Sequence, residues 1–258
     1  MIYENETIQD SRQIQYVSDL HLEEQEPAFL PEHVDQNTSI VVFAGDISDS
    51  PQQVLEYFKS FPSDIQIVYV LGNHEFSNHD WKTCSLEYKN ILQECKNVHL
   101  LDNESKTING ILFFGTTLWS DFFNGTKGPI SQDFMPEYSS VWNGERMLVW
   151  TDVLKKFKEN LDWLKKQIVE NSHAPTVVVT HHAPSFKSNS LRFSNSSLSG
   201  AFCNDLDIWV QKQNINAWIH GHTHNSSDYN LGQARILANP KGFFEENPKF
   251  NTSRFLKL

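Results

Sequence analysis

Apolar residues in this chain gather in short unbroken runs. Residues 14–18, 40–44, 65–71 and 176–180 are rich in Val and Ile and lead into polar residues, a pattern that predicts buried strands. Shorter runs at 98–101 and 217–219 read the same way. Asn109-Gly110 between the apolar halves of residues 107–114 predicts a hairpin, and residues 228–237 around Gly232 predict a second. Ser50-Pro51-Gln52-Gln53 predicts a helix start, with Ser50 as cap, Pro51 in the first position and Gln53 completing a capping box. That helix is expected to reach Phe61, with Pro62 beyond it. Residues 81–95 fit a helix and 206–211 a short one. In residues 151–169, Leu154, Phe157, Leu161, Leu164 and Ile168 recur at spacings of three and four with lysines opposite, which predicts an amphipathic helix. The order strand, loop, strand, helix, strand predicts an α/β protein, and the hairpin at 107–114 turns part of the sheet antiparallel. Residues 23–39 read as a polar loop. Residues 122–145 carry Gly, Asn, Ser, Pro and aromatics and read as a long irregular segment, an ordered flap over a site. Residues 185–200 are a Ser/Asn-rich loop. No break in composition divides the chain, so one domain over residues 1–258 is expected.

The residues just after each strand carry the candidate chemistry. The run at 14–18 leads into Asp19-Leu20-His21, a carboxylate and an imidazole that an extended backbone turns to one side. That suits two ligands on one metal, although a merely polar strand end reads the tripeptide equally well. The run at 40–44 leads into Gly45-Asp46, and the run at 65–71 into Gly72-Asn73-His74-Glu75. This last brings an amide oxygen that can bind a metal and an imidazole that can carry a proton, or an ordinary turn. The remaining ends are His181-His182-Ala183-Pro184 and His220-Gly221-His222-Thr223-His224. In open α/β sheets, sites form at the carboxyl ends of strands. Five ends presenting Asp, Asn or His without a Cys suit Mn, Fe or Zn, and their number suits two metals.

Composition narrows the partners. The 258 residues are 39% hydrophobic and 12% aromatic, enough for a sizeable core, and the formal net charge is -11. That charge speaks against binding duplex nucleic acid or an anionic membrane. Part of it is expected at the strand ends, where divalent cations would neutralise it. Three cysteines without a Cys-x-x-Cys pair suggest a reducing compartment. Residues 1–6 are polar and acidic, unlike a signal peptide, and no apolar run approaches the roughly 18 residues of a membrane span. A soluble, cytoplasmic protein is expected.

Taken in order, Asp19-x-His21, Gly45-Asp46, Gly72-Asn73-His74-Glu75, His181-His182-x-Pro184 and Gly221-His222-Thr223-His224 resemble the calcineurin-like metallophosphoesterase family, over residues 19–224. The resemblance implies a four-layer α/β/β/α sandwich of two mixed β-sheets flanked by helices, two divalent metal ions and a metal-dependent phosphoric ester hydrolase. It gives Asp19, His21, Asp46 and His224 to the first metal. It gives Asp46, as a bridge, with Asn73, His181 and His222 to the second. It makes His74 the general acid and Asp49 the carboxylate that orients it. His181 is preferred to His182 because it directly follows the strand residue Thr180 and because the Pro is similarly placed in the family. His182, His220 and Glu75 are left as supporting residues. The implied reaction is in-line attack by a hydroxide bridging the metals while a cationic His74 protonates the leaving oxygen.

The chain departs from the family's protein phosphatases, which carry Gly-Asp-x-x-Asp-Arg-Gly. Here Gly45-Asp46-Ile47-Ser48-Asp49 is followed by Ser50. Its tail, with Arg235 and Asn239-Pro240-Lys241-Gly242, resembles that of small bacterial phosphoesterases. A phosphomonoester dianion calls for guanidinium groups beside the metals. The five arginines, Arg12, Arg146, Arg192, Arg235 and Arg254, adjoin no motif. A small phosphodiester substrate is therefore expected. The competing readings are a phosphomonoesterase or protein phosphatase on the same site, a nuclease for structured DNA, which the charge disfavours, and a non-catalytic scaffold of the same fold.

Overall fold

The computed structural model describes residues 13–171, 174–193 and 196–258; the N-terminal stretch 1–6 and Arg12 lie outside the described residues. Two sheets carry the fold. The first contains β1 (Gln13–Val17), β2 (Thr38–Phe43), β3 (Gln66–Tyr69) and β4 (Val98–Leu100) as parallel neighbours. The second contains β5 (Glu104–Ile108) and β6 (Ile111–Thr116). A small ladder of β7 (Trp142–Asn143) with β8 (Arg146–Met147) precedes the rest of that sheet: β9 (Thr176–Thr180), β10 (Ala217–His220), β11 (Ser227–Leu231) and β12 (Ala234–Ala238). The last strand, β13 (Phe255–Lys257), returns to the first sheet antiparallel to β1. The orders are β13-β1-β2-β3-β4 and β11-β12-β10-β9-β6-β5, both mixed.

The unbroken apolar runs result from this layering. Side chains alternate along a strand, and here both faces are covered. Ile40, Val42, Val68 and Val70 from the first sheet pack against Phe113, Val177, Val179 and Ile219 from the second. Val41, Phe43, Ile67 and Tyr69 face outward onto α1 (Pro51–Lys59) and α2 (Cys84–Leu92), with Phe43 and Phe58 rings 4.9 Å apart. The short helices α3 (Gly128–Phe134) and α4 (Glu137–Ser140) precede the long helix α5 (Trp150–Glu170). α5 lays Phe157, Leu161, Leu164 and Ile168 against the outer face of the second sheet, which carries Phe114, Val178 and Trp218. The layers run helices, sheet, sheet, helices, as expected. Two short helices, α6 (Ser199–Phe202) and α7 (Asp207–Val210), complete the set. None of the helices among the described residues is long and apolar enough to cross a membrane.

Local expectations meet three corrections. Ser50 caps α1 by accepting from the Gln53 amide at 3.3 Å, but Gln53 does not close a capping box. Its side chain reaches Leu22 O and the Ser48 hydroxyl instead, and the Ser50 amide goes to Ser48. α1 ends at Lys59 and α2 covers only Cys84–Leu92. Residues 122–145 are not irregular throughout, since α3, α4 and β7 lie within them. The Asn109-Gly110 turn forms as expected, with both residues at positive φ (50° and 76°), the geometry of a type I′ hairpin.

Candidate metal centre

The carboxyl ends of β1, β2, β3, β9 and β10 meet at one end of the two packed sheets. The loops are laced together by backbone bonds, Asp19 N to Gly45 O at 2.9 Å, His21 N to Asp46 O at 3.1 Å and Gly221 N to His181 O at 3.0 Å. The approach is close enough to require glycine. A Cβ on Gly221 would stand 2.5 Å from Asp19 Oδ2 and 2.9 Å from Ala44 O, and one on Gly72 would collide with Asp46 Oδ1 and His181 Cε1.

Asp19 (φ 54°), His21 (48°), Asp46 (55°), His222 (65°) and His224 (45°) all have left-handed backbone. For residues with a Cβ this costs about 1 kcal/mol or more each. It corrects the expectation for Asp19 and His21, which converge through a tight backbone turn and not by sharing one side of an extended strand.

These turns gather the side chains into two groups that share Asp46, namely Asp19, His21, Asp46 and His224, and Asp46, His181 and His222, whose ligand atoms lie within 4.8 Å of one another in each; a third group of the same closeness, His21, Glu23 and His74, meets the first at His21. His21 Nε2 and His224 Nε2 stand 3.2 Å apart, and His224 Nε2 is 3.2 Å from Asp19 Oδ1. Asp46 Oδ2 is 3.2 Å from His181 Nε2 and 4.0 Å from His21 Nε2. Asn73 Oδ1 is 3.1 Å from His181 Nε2. Asp46 Oδ1 is occupied by the His74 amide at 2.9 Å, and Asp19 by the His222 amide.

The remote ring nitrogens explain why the Nε2 atoms face inward. His181 Nδ1 donates to Ala44 O at 2.8 Å, His224 Nδ1 to Glu246 Oε2 at 2.6 Å and His21 Nδ1 to Glu23 Oε1 at 3.2 Å. An imidazole that donates from Nδ1 keeps its lone pair on Nε2, the form that ligates a cation. The buried Nε2 of His222 has no hydrogen-bond partner. Converging Nε2 edges, buried carboxylates and an orphaned imidazole nitrogen fit divalent cations.

Charge is arranged accordingly. Burial alone would raise the carboxyls of Asp19 and Asp46, but the facing imidazoles outweigh it and hold both below the usual range. Burial would lower His181, yet the charge of Asp46 lifts it to about 9, and Asp19 and Glu246 lift His224 to about 10. His74 lines the pocket without joining the two groups. Burial would depress it, but Asp46 and Glu23 raise it to about 9.

The carboxylate against His74 differs from the expected one. His74 Nδ1 is 3.2 Å from Glu23 Oε1. Asp49 makes no hydrogen bond to the ring; its carboxyl is raised by burial and by the charge of Glu23, and its carbonyl accepts from His79. Glu75 ties the loops together, accepting the amides of Asp46, Ile47 and Gly72 and the Tyr69 hydroxyl. His220 is satisfied by Ser188 and Gly221 O, and the His182 ring lies 4.0 Å from that of His222.

Sequence reasoning missed Glu23, Glu246 and Phe243. The ring of Phe243 stacks on His21 at 4.1 Å and stands edge-on to His224 at 5.4 Å. Over these groups opens a cavity of about 220 Å³ bounded by Asn73, His74, Met135, Phe193, Phe202 and Phe243.

The calcineurin-like phosphoesterase model matches residues 14–226. The chain belongs to the calcineurin-like phosphoesterase family. This calcineurin-like phosphoesterase is 31% identical to an uncharacterized protein of Acanthamoeba polyphaga mimivirus over 279 residues, 96% of this chain and 97% of the relative. It is also 26% identical over 148 residues to molybdenum cofactor biosynthesis protein 1 of Dictyostelium discoideum, an alignment covering 55% of this chain and only 23% of that protein. Among solved structures, a phosphopantetheinyl hydrolase from Mycobacterium tuberculosis superimposes with a TM-score of 0.67 at 15% identity, over 91% of this chain and 90% of that one. That likeness is one of fold.

Proposed function

We propose that this calcineurin-like phosphoesterase hydrolyses a small phosphodiester at a centre of two divalent cations. Asp19, His21, Asp46 and His224 would hold one ion, and Asp46, Asn73, His181 and His222 the other. The observation that carries the reading is Asp46 Oδ2, a single buried oxygen facing His181 Nε2 at 3.2 Å and His21 Nε2 at 4.0 Å, one imidazole from each group. Such cations would supply Lewis acidity toward phosphoryl oxygens and lower the pKa of water to make the nucleophile.

The chain's own residues do the rest. His74, raised to about 9, carries a proton at neutral pH and stands at the pocket wall, where it would deliver that proton from Nε2 to the leaving oxygen. Its Nδ1 stays on Glu23 throughout. Phe243, Met135, Phe193 and Phe202 exclude water around the ester. The amide of Asn73 offers a neutral ligand, so the site balances its cations with two carboxylates only.

The preference for a diester is supported by where the arginines go. Arg146 forms two hydrogen bonds to Asp152 at 2.7 and 2.9 Å, and Arg235 two to Asp228 at 2.8 and 2.7 Å. Arg192 lies on Phe193, its guanidinium carbon 5.2 Å from the ring centre. Among the described residues no Lys or Arg lines the cavity. A dianionic monoester would find no guanidinium in the lining itself; Arg192, on the wall ring of Phe193, stands beside it. The test compares kcat/KM for matched aryl mono- and diesters with saturating Mn. A diester preference is expected, and a tenfold preference for the monoester would overturn it. The acidic surface likewise supports a small substrate over duplex nucleic acid, to be checked by adding DNA to the same assay.

A further inference from the structure

Glu23 sits in the polar loop after β1, and one of its oxygens meets two imidazoles. Oε1 is 3.2 Å from His21 Nδ1 and 3.2 Å from His74 Nδ1, while the two rings stand edge-on with centres 4.5 Å apart. The side chain is only 14% exposed, and its second oxygen is buried without a partner. A carboxylate oxygen has lone pairs for two N–H donors. By taking both, it fixes each ring's rotation and leaves each Nε2 directed away from Glu23. For His21 that direction is toward His224 Nε2, 3.2 Å away. His74, held by Nδ1, lines the pocket.

We propose that Glu23 is a positioning residue shared by the metal centre and the proton donor: one oxygen orients His21 as a ligand and His74 as an acid. Asp49, the carboxylate expected in the second role, makes no hydrogen bond to the His74 ring, so the loop after β1 supplies both functions. A carboxylate behind a ligating histidine raises the basicity of the ligand, and losing such a partner weakens metal binding about ten- to a hundredfold. Freed from the same oxygen, His74 would rotate, and turnover would suffer where the leaving group needs a proton. This second half rests on the phosphoester reading above; the first half does not.

The test uses Glu23→Ala in the full chain with two readouts. Calorimetric titration of metal-free protein with Mn should show affinity weakened ten- to a hundredfold. At saturating Mn, the ratio of kcat/KM for an alkyl diester to that for a p-nitrophenyl diester should fall, because nitrophenolate departs unprotonated. The ratio should fall no further when Glu23→Ala is added to His74→Ala. Glu23→Gln keeps an acceptor oxygen at the same reach and should lose less in both readouts. Glu23→Met fills the space without an acceptor and carries both readouts should the alanine variant not fold. Wild-type affinity, or a wild-type ratio at saturating metal, overturns the shared role, as does a glutamine variant as damaged as alanine. If the wild-type protein cleaves neither diester, the diester reading fails and the titration alone decides Glu23.

Discussion

At the scale of single residues, position separates ligands from chemistry. His74 follows Asn73 directly, yet its ring joins neither group that contains Asp46; it meets His21 and Glu23 instead, and its amide is what binds Asp46 Oδ1. His74→Ala keeps that amide. It should therefore retain both metals while losing turnover of an alkyl diester by about 10²–10⁴-fold, the range of a general acid. Metal analysis beside kinetics checks this, and a parallel loss of metal would mean that the imidazole is a ligand. Asp46→Asn should do the opposite. It removes the buried negative charge between the two groups, so metal content should drop at both sites, whereas His224→Ala should weaken the site it shares with Asp19 and His21. Loss of one metal equivalent in both variants would contradict a bridging oxygen. The seven ligand candidates are legible in the sequence because each stands just after an apolar run. Glu23, Glu246 and Phe243 are not, because they lie in polar loops without periodicity. Glu246 and His224 are 22 residues apart and meet only in the fold. The one trace of Glu23 in the sequence is its spacing, two residues past His21 as His21 is two past Asp19.

Among the elements, strands read well and loops poorly, for a physical reason. A strand covered on both faces is apolar wherever no polar partner is at hand, and such a run is visible in any window; in β1 the buried Gln13 and Gln15 have hydrogen-bond partners. β13 is three residues long with Phe255 and Lys257 exposed, so nothing in its pattern announces that it pairs with β1. The segment 122–145 shows the same limit. Its composition suggests an ordered flap, but the helices within it are held by tertiary contact. Gly128 packs so closely on the Trp150 ring that a Cβ there would overlap it. Only Met135 and Pro136 of this segment reach the cavity wall. Met135→Ala should therefore alter KM and the ranking of diesters by the size of their organic group, while Mn affinity stays within about twofold of wild type. Calorimetry and a substrate series check this. A change in metal affinity larger than the change in substrate ranking would show that the segment supports the centre and does not shape the substrate.

For the molecule as a whole, the centre is a seam. Asp19, His21, Asp46 and Asn73 come from the first sheet, and His181, His222 and His224 from the second, so cations held there join the two halves of the sandwich. Ligand-linked stabilisation is about 2.7 kcal/mol per site at a hundred times Kd. A kilocalorie moves Tm by roughly 2–4 °C in a chain of this size. Saturating both sites should thus raise Tm by about 10–20 °C over protein stripped with chelator. The pH dependence has a definite sign. In metal-free protein His181 and His224 are raised to about 9 and about 10 from 6.5, so the stability they contribute is complete below pH 6.5 and is lost as pH rises through the folded values. Each cation displaces the proton of one of these imidazoles, so the affinity of each site strengthens by about tenfold per pH unit while its imidazole remains protonated, about a hundredfold for filling both. The two trends widen the gap between metal-loaded and metal-free Tm from pH 6.5 to pH 8. Thermal scans with Mn and with chelator at the two pH values measure it. His74→Ala should show the full gap and Asp46→Asn only a small part of it. A Tm that saturating Mn leaves within about 2 °C at both pH values, less than one kilocalorie's shift, would mean that these residues hold no structural cation.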